Sequence, residues 1–467
     1  MIGNFTKLIA IILLPASILS VAEAQTGTLD PLSYTGSDIG AKINAAAATC
    51  ATGSQCWIVL PPGTQLAFTT TIAFVANETV QCPVSGTVSA NSSGNSTTKL
   101  SYTGTGAAIT MNSNAGHLLG CDLLLGSSAQ YGIVMGGYSN HADQVGVRGG
   151  GTATTLVHIS GTAAEDNHLS SSRLSDFVGV GVAVDHANDT FLTNITAYGS
   201  AGNTTSTTLL VDAGAGGLII DNFAGGSSGL HGFWERYYLS GNYPSFIFAN
   251  NFTCDLAASD CYLFDSTLGS ANIDATFLNS WAAGAGAAGI HISGGSGIHI
   301  GGGTKIRNNA YDGITIDGGS EVGIQIEGNY IQGNNQANVG KHGISINGYP
   351  TSITITGNEI GNWPEVGGNQ GYALWAASNV QGLIFTNNNC SYNVSGCALL
   401  SAVSSSQLTY ASNISNGGGV QPSYFPGVVN AGTGYQYNGT AGFTGTKVAG
   451  SCTLTIQGGI ITAVSGC

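Results

Sequence analysis

Gly313-Ile-Thr-Ile316 is followed by Gly323-Ile-Gln-Ile-Glu-Gly-Asn-Tyr-Ile331, and Gly343-Ile-Ser-Ile346 by Ser352-Ile-Thr-Ile-Thr-Gly-Asn-Glu-Ile360. Alternation of apolar and polar residues over so few positions describes a short strand with one buried face. The Gly-Asn that follows describes a sharp turn, because both residues tolerate positive φ. No helical run separates the two phrases. Each period therefore holds several short strands joined by turns.

The same opening, a small residue followed by apolar-x-apolar, recurs outward in both directions. Units start at Ala108, Gly132, Leu156, Gly181, Thr208, Gly232, Cys261, Gly289, Gly313, Gly343, Tyr372 and Cys397, at intervals of 24 to 30 residues. The Gly-Asn phrase returns as Phe385-Thr-Asn-Asn388-Asn-Cys390, with weaker relatives at Asn194, Asn222 and Asn251. A unit of this kind cannot bury its own apolar face, but stacked units share one continuous core. The expected fold is all-β: a single-stranded parallel β-helix of about 12 coils, roughly 55 Å long at the usual strand spacing. Leucine-rich repeats and propeller blades fit less well, since the former need helical or Leu/Asn consensus elements and the latter longer periods.

Composition agrees. Glycine makes up 72 of 467 residues, about 15%, and charged residues only 7%. Long helices are disfavoured by that much glycine. Disorder is disfavoured by 42% hydrophobic content, and collagen by only 10 prolines without a three-residue period. Ten basic residues against 24 acidic ones give a net charge of -14, and the basic residues form no stripe, so nucleic acid is not an expected partner.

Lys7, the apolar run Leu8 to Val21 and Ala22-Glu23-Ala24 have the three parts of a secretory signal, with cleavage expected after Ala24. The run is too short to span a bilayer. A secreted or periplasmic protein with no membrane span after signal removal is expected. The ten cysteines fall into near-sequence pairs, Cys50/Cys56, Cys82/Cys121, Cys254/Cys261, Cys390/Cys397 and Cys452/Cys467, which in an exported chain favours disulfides. The competing reading makes some of them small buried hydrophobes.

Solenoid ends need caps. Asp38 is placed to N-cap a helix with Ile39, Ile43 and Ala46 on one face, leading to the strand Trp57-Ile-Val-Leu60 and the turn Pro61-Pro62-Gly63. At the other end the period fades after about Ser415. The organisation expected is a signal at 1–24, a cap with first strands at 25–105, the β-helix at 106–415, and a small C-terminal β module at 416–467. That module reads as a hairpin of Thr453-Leu-Thr-Ile456 and Ile460 to Val464.

The capping helix, the Val59-Leu-Pro-Pro-Gly63 turn and the Gly-Ile-x-Ile and Gly-Asn coils together resemble the pectate-lyase-like superfamily. Its members include polygalacturonases, polysaccharide lyases and phage tailspikes. The resemblance spans roughly residues 30 to 415. It implies an elongated protein with a polysaccharide in a lateral groove and, with the general preference for right-handed parallel crossovers, a right-handed helix. The segment from Gly442 is similar to short C-terminal modules of phage tail fibres. The Asn-Thr-Asp, Asp-Asp, Gly-His-Gly and Arg-Ile-Lys elements of the superfamily's hydrolases are not found here in order. Lys305-Ile306-Arg307 is a reversed echo, so the resemblance assigns no catalytic residue.

The repeat register makes its own proposal. Four places after each unit start lie Asn112, Gly136, Ser160, Asp185, Asp212, Arg236, Asp265, Ser293, Asp317, Asn347, Ala376 and Ser401. Asp185, Asp212, Arg236 and Asp265 thus occupy consecutive coils. Carboxylates one or two rungs apart, about 5 or 10 Å, bracket the separations used by glycosidases. Asp212 and Asp265 about Arg236 would form an inverting pair. A lyase would instead hold calcium on the carboxylates and use Arg236 in proton abstraction. The plainer reading is a row of Asx-turns with Arg236 as a salt-bridge rung.

His231-Gly-Phe-Trp234-Glu235-Arg236-Tyr237-Tyr238 concentrates aromatic and charged groups in one coil, suited to stacking on and orienting a sugar. Strict alternation turns Glu235 inward beside Phe233, so either the register slips there or the carboxyl pKa is shifted. His158 and His186 are further candidates for the same groove; His168, His291 and His299 are weaker ones. Glu165-Asp166-Asn167-His168 is a turn with acidic groups but lacks EF-hand spacing, and Gly301-Gly-Gly303 lacks the context of a phosphate loop. The expected function is an exported protein acting on polysaccharide, foremost a glycoside hydrolase with Asp185, Asp212, Glu235, Arg236 and Asp265 as catalytic candidates and His158, His186, His231, Trp234, Tyr237 and Tyr238 as sugar contacts. A non-catalytic binding shaft or a lyase is the alternative. No cofactor is expected, calcium entering only in the lyase reading.

Overall fold

In the computed structural model, residues 27–415 are described apart from 51–53, 84–97, 151–154, 213–214, 227–228, 237–244, 266–272, 320, 364–366 and 378–379; strands between 436 and 465 follow. The expected signal at 1–24 lies outside the described residues. From Ile72 to Leu399 the chain winds as a parallel β-helix. One face is a 13-stranded parallel sheet with one strand per coil, from Ile72–Ala73 to Gly396–Leu399. The other two faces join into a 23-stranded sheet because the long strands Asn188–Gly199, Gly216–Gly226 and Ser245–Asp255 run through both.

Strand pairing on the first face follows the repeat closely. Ile290, Ile314 and Ile344 stand opposite one another, and so do Ile292, Ile316 and Ile346. Two details differ from the sequence reading. A further coil precedes the first unit, since Ile72 pairs with Ile109. The eleventh unit begins at Ala373 rather than Tyr372, because Leu374 pairs with Ile344 and with Ala398. Its column residue is therefore Ala377, not Ala376. Tyr372-Ala-Leu-Trp and Ala373-Leu-Trp-Ala fit the pattern equally well, and only the core's demand for Leu374 chooses between them.

The bend from the second face to the third is made by one residue per coil with positive φ. Gly120, Gln144, Ser171, Asn194, Asn222, Asn251, Asn279, Gly302, Gly328, Gly357, Asn387 and Ser412 hold this place, with φ between 49° and 71°. Asn194, Asn222 and Asn251 are thus counterparts of Gly328, not of Asn329 as the sequence pattern suggested. The residue that follows Gly328 turns inward. Asn329, Asn358 and Asn388 are buried and form a ladder with Asn413. The Nδ2 of Asn329, Asn358 and Asn388 donates to the next Oδ1 at 3.0 Å, and the Oδ1 of Asn358, Asn388 and Asn413 also accepts the preceding rung's backbone N–H at 2.9–3.0 Å. Asn329 Oδ1, at the ladder's end, has no hydrogen-bond partner among the described residues. The backbone N–H groups of Asn329, Asn358 and Asn388, which the bend would strand in the core, are thereby paired.

Other polar residues are buried too, Asn140, Asn167, Asn309, Asn334 and Gln370 among them, but the middle coils hold an aromatic cluster of Phe223, Phe233, Phe252, Tyr262, Phe264 and Phe277. The front is closed by the helix Ile39–Ala47, which buries Ile39, Ile43, Ala46 and Ala47. Asp38 caps it through Ala41 N–H at 2.8 Å and also accepts from the backbone N–H groups of Thr69 and Thr70. Burial opposes its charge, but these hydrogen bonds outweigh it and hold the carboxyl well below the usual range. Disulfides join Cys50 to Cys56, Cys82 to Cys121, Cys254 to Cys261 and Cys390 to Cys397. Cys467 lies outside the described residues, and with it the expected Cys452/Cys467 pair. The C-terminal strands Gly445–Ala449, Cys452–Gln457 and Ile460–Ser465 form an antiparallel sheet, one strand more than the expected hairpin.

Asn358→Ala is expected to lower the melting temperature more than Asn413→Ala, since it leaves the Asn329 N–H and the Ile326 carbonyl without their partners at a fully buried rung, at about 1–3 kcal/mol for each orphaned group, whereas Asn413 is half-buried. Asp38→Ala should cost about 1–2 kcal/mol as a lost cap. Because the carboxyl is depressed in the folded state, that contribution is present above the ordinary carboxylate range and fades as pH falls through it. Thermal melts of the variants at pH 7 and at pH 3 check both.

Candidate functional site

Main-chain pairing sets Ser160, Asp185, Asp212, Arg236 and Asp265 opposite one another on five successive rungs of the first face. Their neighbours Val184, Val211 and Phe264 are buried, so alternation turns the column outward, where all five are half-buried. Arg236 donates to Asp212 Oδ2 through Nε at 3.1 Å and Nη2 at 2.8 Å. Its guanidinium also lies 5.0 Å from the Trp234 ring centre. Asp185 hydrogen-bonds the His186 ring.

Two residues earlier on each strand runs a second outward column, His158, Ala183, Leu210, Trp234, Leu263 and His291. His158 stacks on Tyr131 with centroids 5.1 Å apart. Burial pulls its pKa below the ordinary imidazole value against the pull of Asp185 and Asp212, so the ring is a neutral donor and acceptor at pH 7.

Other candidates fall elsewhere. Glu235 is 3% exposed and pairs in unbroken register with Val211 and Phe264. It lies in the interior, not in a lateral groove beside Asp212 and Asp265; strict alternation wins over any slip. His231 is buried, 5.2 Å from the Trp234 ring, with Nδ1 3.1 Å from the Asp260 carbonyl. Tyr237 and Tyr238 lie outside the described residues. Lys305 and Arg307 sit on the third face, paired with Trp281 and Ala283, away from this column.

The sequence reading missed Asp260 and the use of His291. One position before each unit start, the register yields His231, Asp260, Ala288, Asp312 and His342, and that column would have revealed the cluster. His291 Nε2 lies 2.9 Å from Asp317 Oδ1 and Nδ1 3.4 Å from Asp260 Oδ2. Burial opposes protonation, but the two carboxylates prevail and push the His291 pKa up to about 10. The imidazolium thus ties one edge of the face to the other. Among the described residues no three His, Cys, Asp or Glu side chains converge to hold a metal ion.

A raised folded-state pKa contributes stability that is full below about 6.5 and is lost as pH climbs toward about 10. The stability loss caused by His291→Ala should therefore be largest in mildly acidic buffer and shrink through pH 8 to 10. Denaturant titrations of both proteins across that range measure it, and a loss that does not vary with pH would refute the charged clamp.

No family model matches the chain, and no curated protein matches it. Solved structures do. The A-module of a mannuronan C-5 epimerase from Azotobacter vinelandii aligns with 84% of this chain and 100% of its own, at 13% identity and a TM-score of 0.56. Tailspike protein 3 of bacteriophage CBA120 aligns with 89% of this chain and 65% of its own, at 12% identity and 0.54. A tailspike of E. coli bacteriophage HK620, solved with a pentasaccharide, aligns with 80% and 74%, at 9% identity and 0.51. With its stacked coils and capping helix, the chain has the parallel β-helix fold that these structures share.

Proposed function

We propose that the protein is an exported polysaccharide-acting β-helix whose first face binds a glycan and hydrolyses it. The observation that carries this reading is the outward, in-register column Asp185, Asp212, Arg236, Asp265 beside Trp234. Asp212 and Asp265 flank Arg236 at a spacing of two rungs, about 10 Å between backbones, from which side chains reach the separation of inverting carboxylates. In that mechanism Asp212, paired with Arg236, accepts a proton from the attacking water. Asp265 protonates the leaving glycosidic oxygen. Trp234 and His158 would hold and orient the sugar rings. The similarity to an epimerase of mannuronan and to a tailspike with bound pentasaccharide supports a polysaccharide partner. Four disulfides suit an oxidising compartment.

Calcium, required by the lyase reading, does not fit this column well. Arg236 stands between the carboxylates and already occupies Asp212 Oδ2. The same ion pair favours a second reading, a non-catalytic binding shaft in which Arg236 and Asp212 only satisfy each other.

Reducing-sugar release from a polysaccharide panel separates the readings. Asp212→Asn and Asp265→Asn should each slow release by about 10²–10⁴-fold, while glycan binding persists. Binding without release by the unaltered protein, or release indifferent to both substitutions, would leave the shaft. A product with the ultraviolet absorbance of an unsaturated uronate would point to elimination instead.

A further inference from the structure

The second face carries a depression that the site above does not use. It lies near the capped end, has a volume of about 380 Å³, and is lined by Trp57, Asn77, Thr79, His117, Ser139 and His141. Trp57, Thr79, His117 and His141 are successive rungs of one outward column. Asn77, Ala115 and Ser139 make the adjoining corner, each with positive φ, and the small Ala115-Gly116 pair leaves the floor low.

Trp57 is 39% exposed, yet its orientation is fixed, because Nε1 donates to Gln81 Oε1 at 3.0 Å. An indole held half in solvent above a shallow polar hollow is a stacking platform lacking a partner. The groups facing it are mostly hydrogen-bonding and uncharged. Burial, reinforced by the nearby His168, lowers the His141 pKa, leaving that ring neutral with one donor and one acceptor nitrogen. No hydrogen-bond partner is found for either nitrogen among the described residues. His117 Nε2 is tied to Asp143 at 2.8 Å and Ser139 Oγ to Asp166 at 2.9 Å. Those two carboxylates stand close behind the rim in a chain of net charge -14, so an anionic ligand is repelled while a polyhydroxylated neutral one is not.

We propose that this hollow is a second carbohydrate site, on a different face from the Asp212 column, that takes a neutral glycan of two rings along the column, one stacked on Trp57 beside Asn77 and Thr79 and the next with its hydroxyls on His141, three rungs away. The volume accommodates one or two pyranose rings. Two sites on separate faces would let the rod hold a glycan network while the first face works on one strand, and the second site stands whether or not the first is catalytic.

Affinity electrophoresis of the full chain in gels containing a soluble β-glucan, a mannan, a dextran or an alginate tests the proposal. The unaltered protein should be retarded by at least one neutral polymer. Trp57→Ala should weaken that retardation by about tenfold or more, the usual loss of an aromatic anchor, while Trp57→Phe restores most of it. In a Trp234→Ala background, where the first-face anchor is already gone, Trp57→Ala should still weaken whatever retardation remains, which separates this site from the first. Absence of retardation in every neutral polymer, retardation by alginate alone, or full retardation of Trp57→Ala would each overturn it. Circular dichroism of Trp57→Ala, expected to match the parent because the ring is partly exposed, guards against misfolding.

Discussion

Every coil must return to the same place above the last, and the main-chain hydrogen bonds between coils enforce it. Parallel pairing fixes each residue opposite its counterpart about 4.8 Å away, so any coil that bends late or early would break the ladder on the faces that follow. One positive-φ residue at the corner between the second and third faces sets that bend coil after coil. Glycine and asparagine dominate the position because they reach αL at little cost. Where Asn358 and its neighbours follow, their amides repeat the backbone ladder inside the core and satisfy it.

The same constraint governs charge. Stacking puts like side chains on adjacent rungs within a few ångströms, which a bare row of carboxylates would resist. Several acids of the first face are accordingly met by a cation or an imidazole. Asp212 is met by Arg236, Asp185 by His186, and Asp260 and Asp317 by His291. A chain with so little charge still lines up Asp185, Asp212, Arg236 and Asp265 on successive rungs of one strip, with Trp234 and His158 in the adjoining column. The geometry that makes the strip costly in isolation is what makes it a surface able to orient hydroxyls and move protons.

Much of this was readable in the residues. The spacing of the units gave the first face nearly rung for rung, and the near-sequence cysteines gave four disulfides. The unit at Ala373 was misplaced by one because its neighbours are apolar on both sides of the frame. Asn194 was matched to the wrong half of Gly-Asn because turn and ladder residues share one letter. Asp260 went unseen because it precedes the unit rather than belonging to it, and its meeting with His291 crosses from one edge of the face to the other.

The order of small and branched residues was enough by itself to determine a stacked coil, since a period near 26 residues with alternating apolar positions has few other ways to bury its surface. It also determined which acids share a column, because register in a solenoid is simply counting. Only the tertiary structure decided which partners Asp212 and Asp260 take, and that Trp57 overhangs a hollow of its own. Those outcomes depend on side chains from different coils and corners, which come together after the backbone has closed its turns and which no local pattern records.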